Sequence, residues 1–451
     1  MRHLAIALFL TLTACSKRPP PTAPAAPADA SIAVPAVSTG PAFIEDDVAA
    51  AIAAAKASGK VVFVDAWAPW CHTCLSMQRD VLSTPTLAAF SDRVVFVAVD
   101  TDRPENNAFL LRFAVTLWPT FFVIDADEHL LAVHPGSMDL TETAAFVDAA
   151  IRSSREAAKE GPERELLDGH AAFVAGDVVG AFKHYETASS MAWARRTEAV
   201  LGGMRALSTS KDWAGCLGFG TAHLRDVERG GAPGDLATSV LSCAHRLGDE
   251  AIEARTRLLV RDRLLELVKN VPPGSAVDDR ADVLATLADL QDELGDKAAA
   301  QATHTTRLKI LEDDAAKATT PKQAQVHDYA RLNSLLALGR GDEAVALFQH
   351  RVRQLPDDYE PWARLASTLF KLDRPALALP AVQQAIRLSY GTRRLRYRQL
   401  EADIAKKTND IAAERAALQA LLQDAATLPP ALTDEALTAA ARDRLAALPP
   451  V

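Results

Sequence analysis

The sequence predicts two unlike parts in one chain: an α/β domain built on one small sheet, then a long all-α array. Three observations carry that expectation. Between residues 43 and 152, short β-branched and aromatic runs such as Val61-Val62-Phe63-Val64 and Val94-Val95-Phe96-Val97 alternate with helical stretches. Beyond about Ala157 strand signals vanish, and Ala, Leu, Arg and Glu recur at helical spacing with Gly-Asp or Gly-Arg punctuation. Near the end a period emerges, with Ala344, Ala378 and Ala412, and likewise Phe348, Val382 and Ala416, each 34 residues apart.

The chain has 451 residues, enough for about two to three domains. It is 49% apolar and carries a net charge of −9, so no basic surplus exists to neutralise phosphates and nucleic acid is not an expected partner. Five cysteines is an odd number, and the first segment accounts for it. After Arg2 and His3 comes an apolar run over residues 4–12, too short to span a bilayer but of the size of a signal-peptide core. It ends in Leu12-Thr13-Ala14-Cys15, which resembles the lipobox of bacterial lipoproteins. That resemblance implies a signal peptide over residues 1–14, cut before Cys15, whose acylated thiol anchors the chain to a membrane. The other reading is an ordinary secretory signal with a chance cysteine. The non-acidic Ser16 fits the outer membrane better than the inner. Both readings put the chain outside the cytoplasm, facing a periplasm where disulfides persist. Lipidation leaves an even set of cysteines: Cys71, Cys74, Cys216 and Cys243. Residues 15–41, rich in Pro and Ala, read as a flexible tether.

In order, the α/β part (residues 42–156) is expected to begin with a helix over 45–58, acidic in its first turn and closed by Gly59. A buried strand follows over 60–67, then a helix from near Cys71 to about 82, stopped by Pro85. Next come a strand over 93–99, a helix over 104–113, strands over 120–124 and 130–134, and a closing helix over 140–152. In the helical part (residues 157–451) a first hairpin places Gly169, Ala181, Tyr185 and Ala188 around a turn at Gly176-Asp177. Residues 190–321 fit the period poorly and break at loops over 230–234 and 272–274. Trp362, Leu365, Ala366 and Leu369 share one helix face. The 34-residue unit resembles the tetratricopeptide repeat, which implies an α-solenoid that binds protein or peptide in its concave groove. Arg393, Arg394, Arg396, Tyr397 and Arg398 read as a solvated basic face.

Chemistry is concentrated at Trp70-Cys71-His72-Thr73-Cys74, directly after a strand. A thiolate at a helix start is stabilised there, and a second thiol lies one turn behind. By itself the pair is either a redox dithiol or half of a zinc site, although His72, Cys216 and Cys243 offer no second compact pair of ligands. Val64, Asp65, Trp67, Ala68, Trp70, Cys71 and Cys74, with Trp118-Pro119-Thr120 and Gly136, resemble the thioredoxin family over residues 43–152. The fold class expected is therefore an α/β thioredoxin fold followed by an all-α tetratricopeptide-like solenoid.

The resemblance implies that Cys71 attacks, Cys74 resolves and Asp65 exchanges a proton with Cys74. It also implies that Pro119 is cis and that Trp70, Trp118 and Pro119 shape peptide docking. Residues 82–85 are most similar to the C-terminal domain of the bacterial transmembrane disulfide-bond reductase, which favours a reductase of protein disulfides. No metal or organic cofactor is implied. Departures from the family are informative. His72 and Thr73 replace its usual dipeptides, so His72 is either a cation that favours the thiolate or a solvated loop residue. Phe96 stands where the family has a lysine near its buried acid, which makes Asp65 harder to ionise unless Asp65 is merely structural. Cys216 and Cys243 are either a structural disulfide or two buried thiols. The reading that follows is a lipid-anchored extracytoplasmic thiol–disulfide oxidoreductase with a partner-binding array. Its rivals are a non-catalytic envelope scaffold and a disulfide oxidase or isomerase.

Overall fold

The sheet that organises the N-terminal part has the order β1-β3-β2-β4-β5 in a computed structural model that describes residues 40–155 and 160–449. Residues 1–39, which hold the expected signal peptide, Cys15 and most of the expected tether, lie outside the described residues. Strands β1 (Phe43–Glu45), β3 (Val94–Asp100) and β2 (Val61–Trp67) run parallel, and β4 (Thr120–Ile124) and β5 (Leu130–Pro135) follow antiparallel. Central β2 is buried on both faces, which is why its sequence is a continuous apolar run rather than an alternating one. Helices α1 (Val48–Ser58) and α4 (Asn107–Arg112) cover the face carrying Val62, Val64 and Ala66. The face carrying Phe63, Phe96 and Phe121 is covered by α2 (His72–Met77), the π turn Gln78–Leu82, α3 (Pro85–Ala88) and α5 (Leu140–Arg155).

Two boundaries differ from expectation, each for a local reason. The expected helix from residue 45 starts at Val48, because the Asp47 carboxylate accepts from Ala50 N at 2.8 Å and caps it there. Glu45 instead ends β1, a strand of three residues and so too short to show a period. The helix expected from Cys71 to residue 82 opens into a π turn at Gln78, which turns that side chain toward Asp65.

The helical part is a run of hairpins in which each long helix packs on the next. Its first members are α6 (Pro162–Val174), α7 (Val178–Ser189) and α8 (Arg196–Ser210), and Tyr185 of α7 sits where Gly169 and Gly202 leave room for its ring. Then come α9 (Trp213–His223), α10 (Ala232–Leu247), α11 (Glu250–Lys269), α12 (Val277–Glu293) and α13 (Lys297–Ala315). Helix α10 begins inside the stretch expected to be a loop, with Pro233 in its first turn. Short α14 (Pro321–Gln325) leads to α15 (Asp328–Ala337), α16 (Gly341–Gln354), α17 (Tyr359–Lys371) and α18 (Pro375–Leu388). The array closes with α19 (Gly391–Lys407), α20 (Ile411–Ala425) and α21 (Glu435–Ala446). Among the described residues no helix is long and apolar enough to cross a membrane.

The 34-residue period holds from α16 to α18, where Ala344 and Ala378 are buried, but fails at the next step. Ala412 and Ala416 are exposed, and the buried equivalents are Glu414 and Leu418, two positions further on. Helix α19 has 17 residues where α17 has 13, and the loop before it is shorter, which lengthens the last unit.

The described residues pack as one compact unit, and the array touches the α/β domain along its length. At β5, Val133 N donates to Glu198 Oε1 at 2.9 Å, and Arg195 donates to Leu131 O at 3.1 Å. Burial pushes the Glu198 carboxyl up, but Arg195 and His170 outweigh it and hold its pKa down at about 2. At the other end Tyr390 donates to Asp100, and Gly391 comes so close to Asp102 that a Cβ would lie 1.9 Å from its carbonyl oxygen. Gly391 has φ +55°, so both its space and its backbone call for glycine. Helices α6 and α8 pack on β5, and α12 packs on α2, so part of the array's surface is covered by the chain's own α/β domain.

Candidate active site

Strand β2 delivers the chain to Cys71, which caps α2 in extended conformation while Cys74 N donates to its Sγ at 3.0 Å. That places the first sulfur at the positive end of the helix, where negative charge is favoured. The two sulfurs are bonded, with S–S 2.04 Å. Cys71 is the more exposed thiol of the pair, though only slightly. It is only 5% exposed, against 1% for Cys74, because Trp70, Trp118 and the array cover this face.

Asp65 stands on β2 opposite Ala98 and is 1% exposed. Gln78 Nε2 is 3.5 Å from its Oδ2, and Oδ1 has no hydrogen-bond partner among the described residues. A cavity of about 390 Å³, lined by Glu45, Trp67, Gln78 and Ala98 among others, adjoins it. Burial, helped by Glu45 and opposed by Gln78, pushes the carboxyl pKa up to about 7, where a group can both take and give a proton near neutrality. Phe96 lies one pleat away and packs on Phe43 and Phe63, with ring centroids 5.4 and 5.5 Å apart. Burial is the main cause of the raised Asp65 carboxyl, with Gln78 and Glu45 as its polar neighbours.

The Trp118–Pro119 bond is cis. Trp118 Nε1 donates to Thr101 Oγ1 at 2.8 Å, and its ring lies 5.2 Å from that of Trp70. The backbone N–H and C=O of Trp118 have no hydrogen-bond partner among the described residues, the arrangement an added peptide strand uses. Gly136 N donates to Pro119 O at 2.8 Å, and Gly136 has φ +94° with Asp235 packed where a side chain would go. Thr73 is half-buried and forms no side-chain hydrogen bond among the described residues.

Partners of His72 and Ser76 escape sequence reasoning because they lie more than two hundred residues away. His72 Nε2 is 3.0 Å from Asp282 Oδ2 on α12, and Ser76 Oγ donates to Asp278 Oδ1 at 2.8 Å. Trp70 Nε1 donates to Asp102 Oδ2 at 2.7 Å, while the Arg393 guanidinium lies 3.7 Å from the centre of the Trp70 ring. This corrects the reading of the arginine cluster as a solvated face. Arg393 covers Trp70, Arg394 donates to Ser389 O, Arg396 and Arg398 pair with Asp434 and Asp424, and the Tyr397 hydroxyl donates to Glu360 at 2.9 Å. Cys216 and Cys243 are bonded to each other between α9 and α10, in a core separate from that of Cys71 and Cys74. Cys15 lies outside the described residues.

Residues 43–126 match the family model described as thioredoxin-like. A stretch of 67 residues is 36% identical to protein disulfide-isomerase 1 of Dictyostelium discoideum, covering 15% of this chain and 18% of that protein. The chain therefore spans less than a fifth of that relative's length. Solved structures similar to it include a tetratricopeptide repeat protein from Parabacteroides merdae, with TM-score 0.41, 14% identity, 62% of this chain and 98% of that one. A tetratricopeptide repeat protein of Thermus thermophilus aligns with TM-score 0.30 and 19% identity, over 47% of this chain and all of that one. Residues 43–126 form a thioredoxin-like domain, which this chain joins to an array of helix hairpins.

Proposed function

We propose that this protein is a lipid-anchored thiol–disulfide oxidoreductase of the cell envelope, working on the periplasmic side, that reduces disulfides in other proteins. The observation that carries this reading is Cys71 at a helix start, Cys74 one turn on, and a buried Asp65 poised near neutrality on the adjoining strand. The Cys71 thiolate attacks one sulfur of a substrate disulfide. A mixed disulfide forms, the substrate S–S bond breaks, and the departing sulfur takes up a proton. Cys74, giving its proton to the Asp65 carboxylate, then attacks the Cys71 sulfur. The second substrate thiol is released, the Cys71–Cys74 bond closes, and two electrons have passed to the substrate. A dithiol donor, dithiothreitol in vitro, resets the pair by the same exchange.

Lipidation at Cys15, residence in the outer membrane and the reductive direction come from the sequence reading and belong to the proposal. The array's share in it is to screen the site, since its helices cover the face on which Cys71 lies. A second reading, electron flow from substrate to enzyme, draws on His72 beside Cys71. The reduction potential separates the two: about −270 mV supports the reductase and about −120 mV the oxidase. The reading as a whole is tested by trapping. Cys74→Ala, expressed in an envelope-bearing host, should accumulate mixed disulfides through Cys71 that dithiothreitol releases. An empty trap, or the same adducts in Cys71→Ser, overturns it.

A further inference from the structure

The array does more than cover the site. His72, the residue after Cys71, has its Nε2 3.0 and 3.3 Å from the two carboxylate oxygens of Asp282, 210 residues further along the chain. Asp282 is held from its other side by α13, where Arg307 lies 3.8 Å from Oδ1. Arg307 is itself fixed by donating to Ala281 O at 2.8 Å and Ala330 O at 3.0 Å. One turn earlier on α12, Asp278 accepts from Ser76 Oγ, so the two helices meet at two points rather than one. The Tyr329 ring stands 6.2 Å from the His72 ring and closes a third side.

We propose that Asp282 is a positioning residue of the redox site, holding the imidazolium of His72, the residue that follows Cys71, so that the thiolate is favoured by a contact made from the helical array. The inference rests on the thiol–disulfide reading and deepens it, because the redox site then belongs to both halves of the chain.

Of the α10 and α12 carboxylates around His72, Asp282 is the one whose charged form its surroundings favour. Facing His72 are Asp278, Asp279 and Asp282 of α12, Asp235 of α10, Arg307 of α13 and His327 before α15. Asp328 of α15 and Glu360 and Arg364 of α17 line the small cavity beside it. Burial, reinforced by the other aspartates, pushes Asp235 and Asp278 up to about 8, which favours their neutral forms. Asp282 goes the other way: burial opposes its charge, but His72 and Arg307 outweigh burial and lower it. Burial likewise opposes charge on His72, and Asp282 overrides it and raises the imidazole. A cation next to a sulfur favours the thiolate, and stabilising the reduced form makes the couple more oxidising.

The test uses the full chain with four sequences: wild type, Asp282→Asn, His72→Gln and the double variant. The pH midpoint of iodoacetamide reaction at Cys71 and the equilibrium of the pair with glutathione are read by mass spectrometry of the peptide holding both cysteines, which keeps Cys216 and Cys243 out of the signal. Asp282→Asn should raise the Cys71 midpoint by on the order of 1 pH unit. It should also make the pair about tenfold easier to oxidise, a fall of about 30 mV. His72→Gln should do the same, the double variant should add nothing, and Asp282→Glu should restore much of the effect. The proposal is overturned if Asp282→Asn moves neither quantity, or moves both equally with His72 already replaced. Should Asp282→Asn not fold, His72→Gln and Asp282→Glu decide alone: a shift in the first and little in the second supports the proposal, and any other pattern overturns it. The Cys71 midpoint is measurable whether or not protein disulfides are reduced, so this inference and the proposed function fail separately.

Discussion

Replacing Asp65 by Asn should make the protein more stable at alkaline pH while slowing its chemistry. Burial pushes the folded-state carboxyl from 3.8 up to about 7, against the opposing Gln78 contact. Between those values the unfolded chain has released the proton and the folded chain still holds it. The unfolded state therefore binds fewer protons, and stability falls as pH rises. At about 1.36 kcal/mol per pH unit, the cost accumulated by pH 8 is ~4 kcal/mol. Asn is the shape of the protonated acid and carries no such cost. The two proteins should unfold alike near pH 4 and diverge toward pH 8, with Asp65→Asn the more stable by up to ~4 kcal/mol. Guanidinium unfolding of the oxidised chain, followed by tryptophan fluorescence at each pH, measures the gap. Other titrating groups act in both proteins and cancel in the difference. A constant gap across pH, or none, refutes the reasoning. Turnover should fall in the same variant, since Cys74 loses its proton acceptor.

Two further substitutions probe how the array holds the domain. Gly391→Ala puts a methyl against the Asp102 carbonyl in a left-handed backbone, which should cost at least ~1–3 kcal/mol and loosen α19 from the β3 end. Limited proteolysis near residue 390 should then speed up; unchanged cleavage contradicts the packing described. Glu198→Ala leaves His170 and Arg195 buried without their carboxylate, a loss of ~3–5 kcal/mol at neutral pH read from the unfolding midpoint. Because this carboxyl is depressed, its contribution is present above about pH 4.5 and lost as pH falls toward 2, so the deficit should shrink in acid.

What was legible in the sequence was what short stretches of chain decide. Thr120–Ile124 was read to the residue, and Cys71, Cys74 and Asp65 share one strand–turn–helix whose local pattern fixes their order. Gly59 marks the end of α1 because it takes the left-handed conformation that closes the helix. The misses at the site have one cause, long-range packing. Asp282 and Arg393 are ordinary polar residues on helices, and nothing near them in sequence says that one meets His72 and the other covers Trp70. The burial of Cys71 follows from the same contacts. Ala412 was misplaced because a fixed 34-residue step does not register the longer α19, after which Glu414 and Leu418 turn inward.

The most direct test of the central claim is dithiothreitol-driven reduction of insulin by three proteins: wild type, Cys71→Ser, and the pair Cys216→Ser with Cys243→Ser. Activity is expected in the first, background in the second and activity in the third, since the bond between α9 and α10 belongs to a separate core. Undiminished insulin reduction by Cys71→Ser would contradict it.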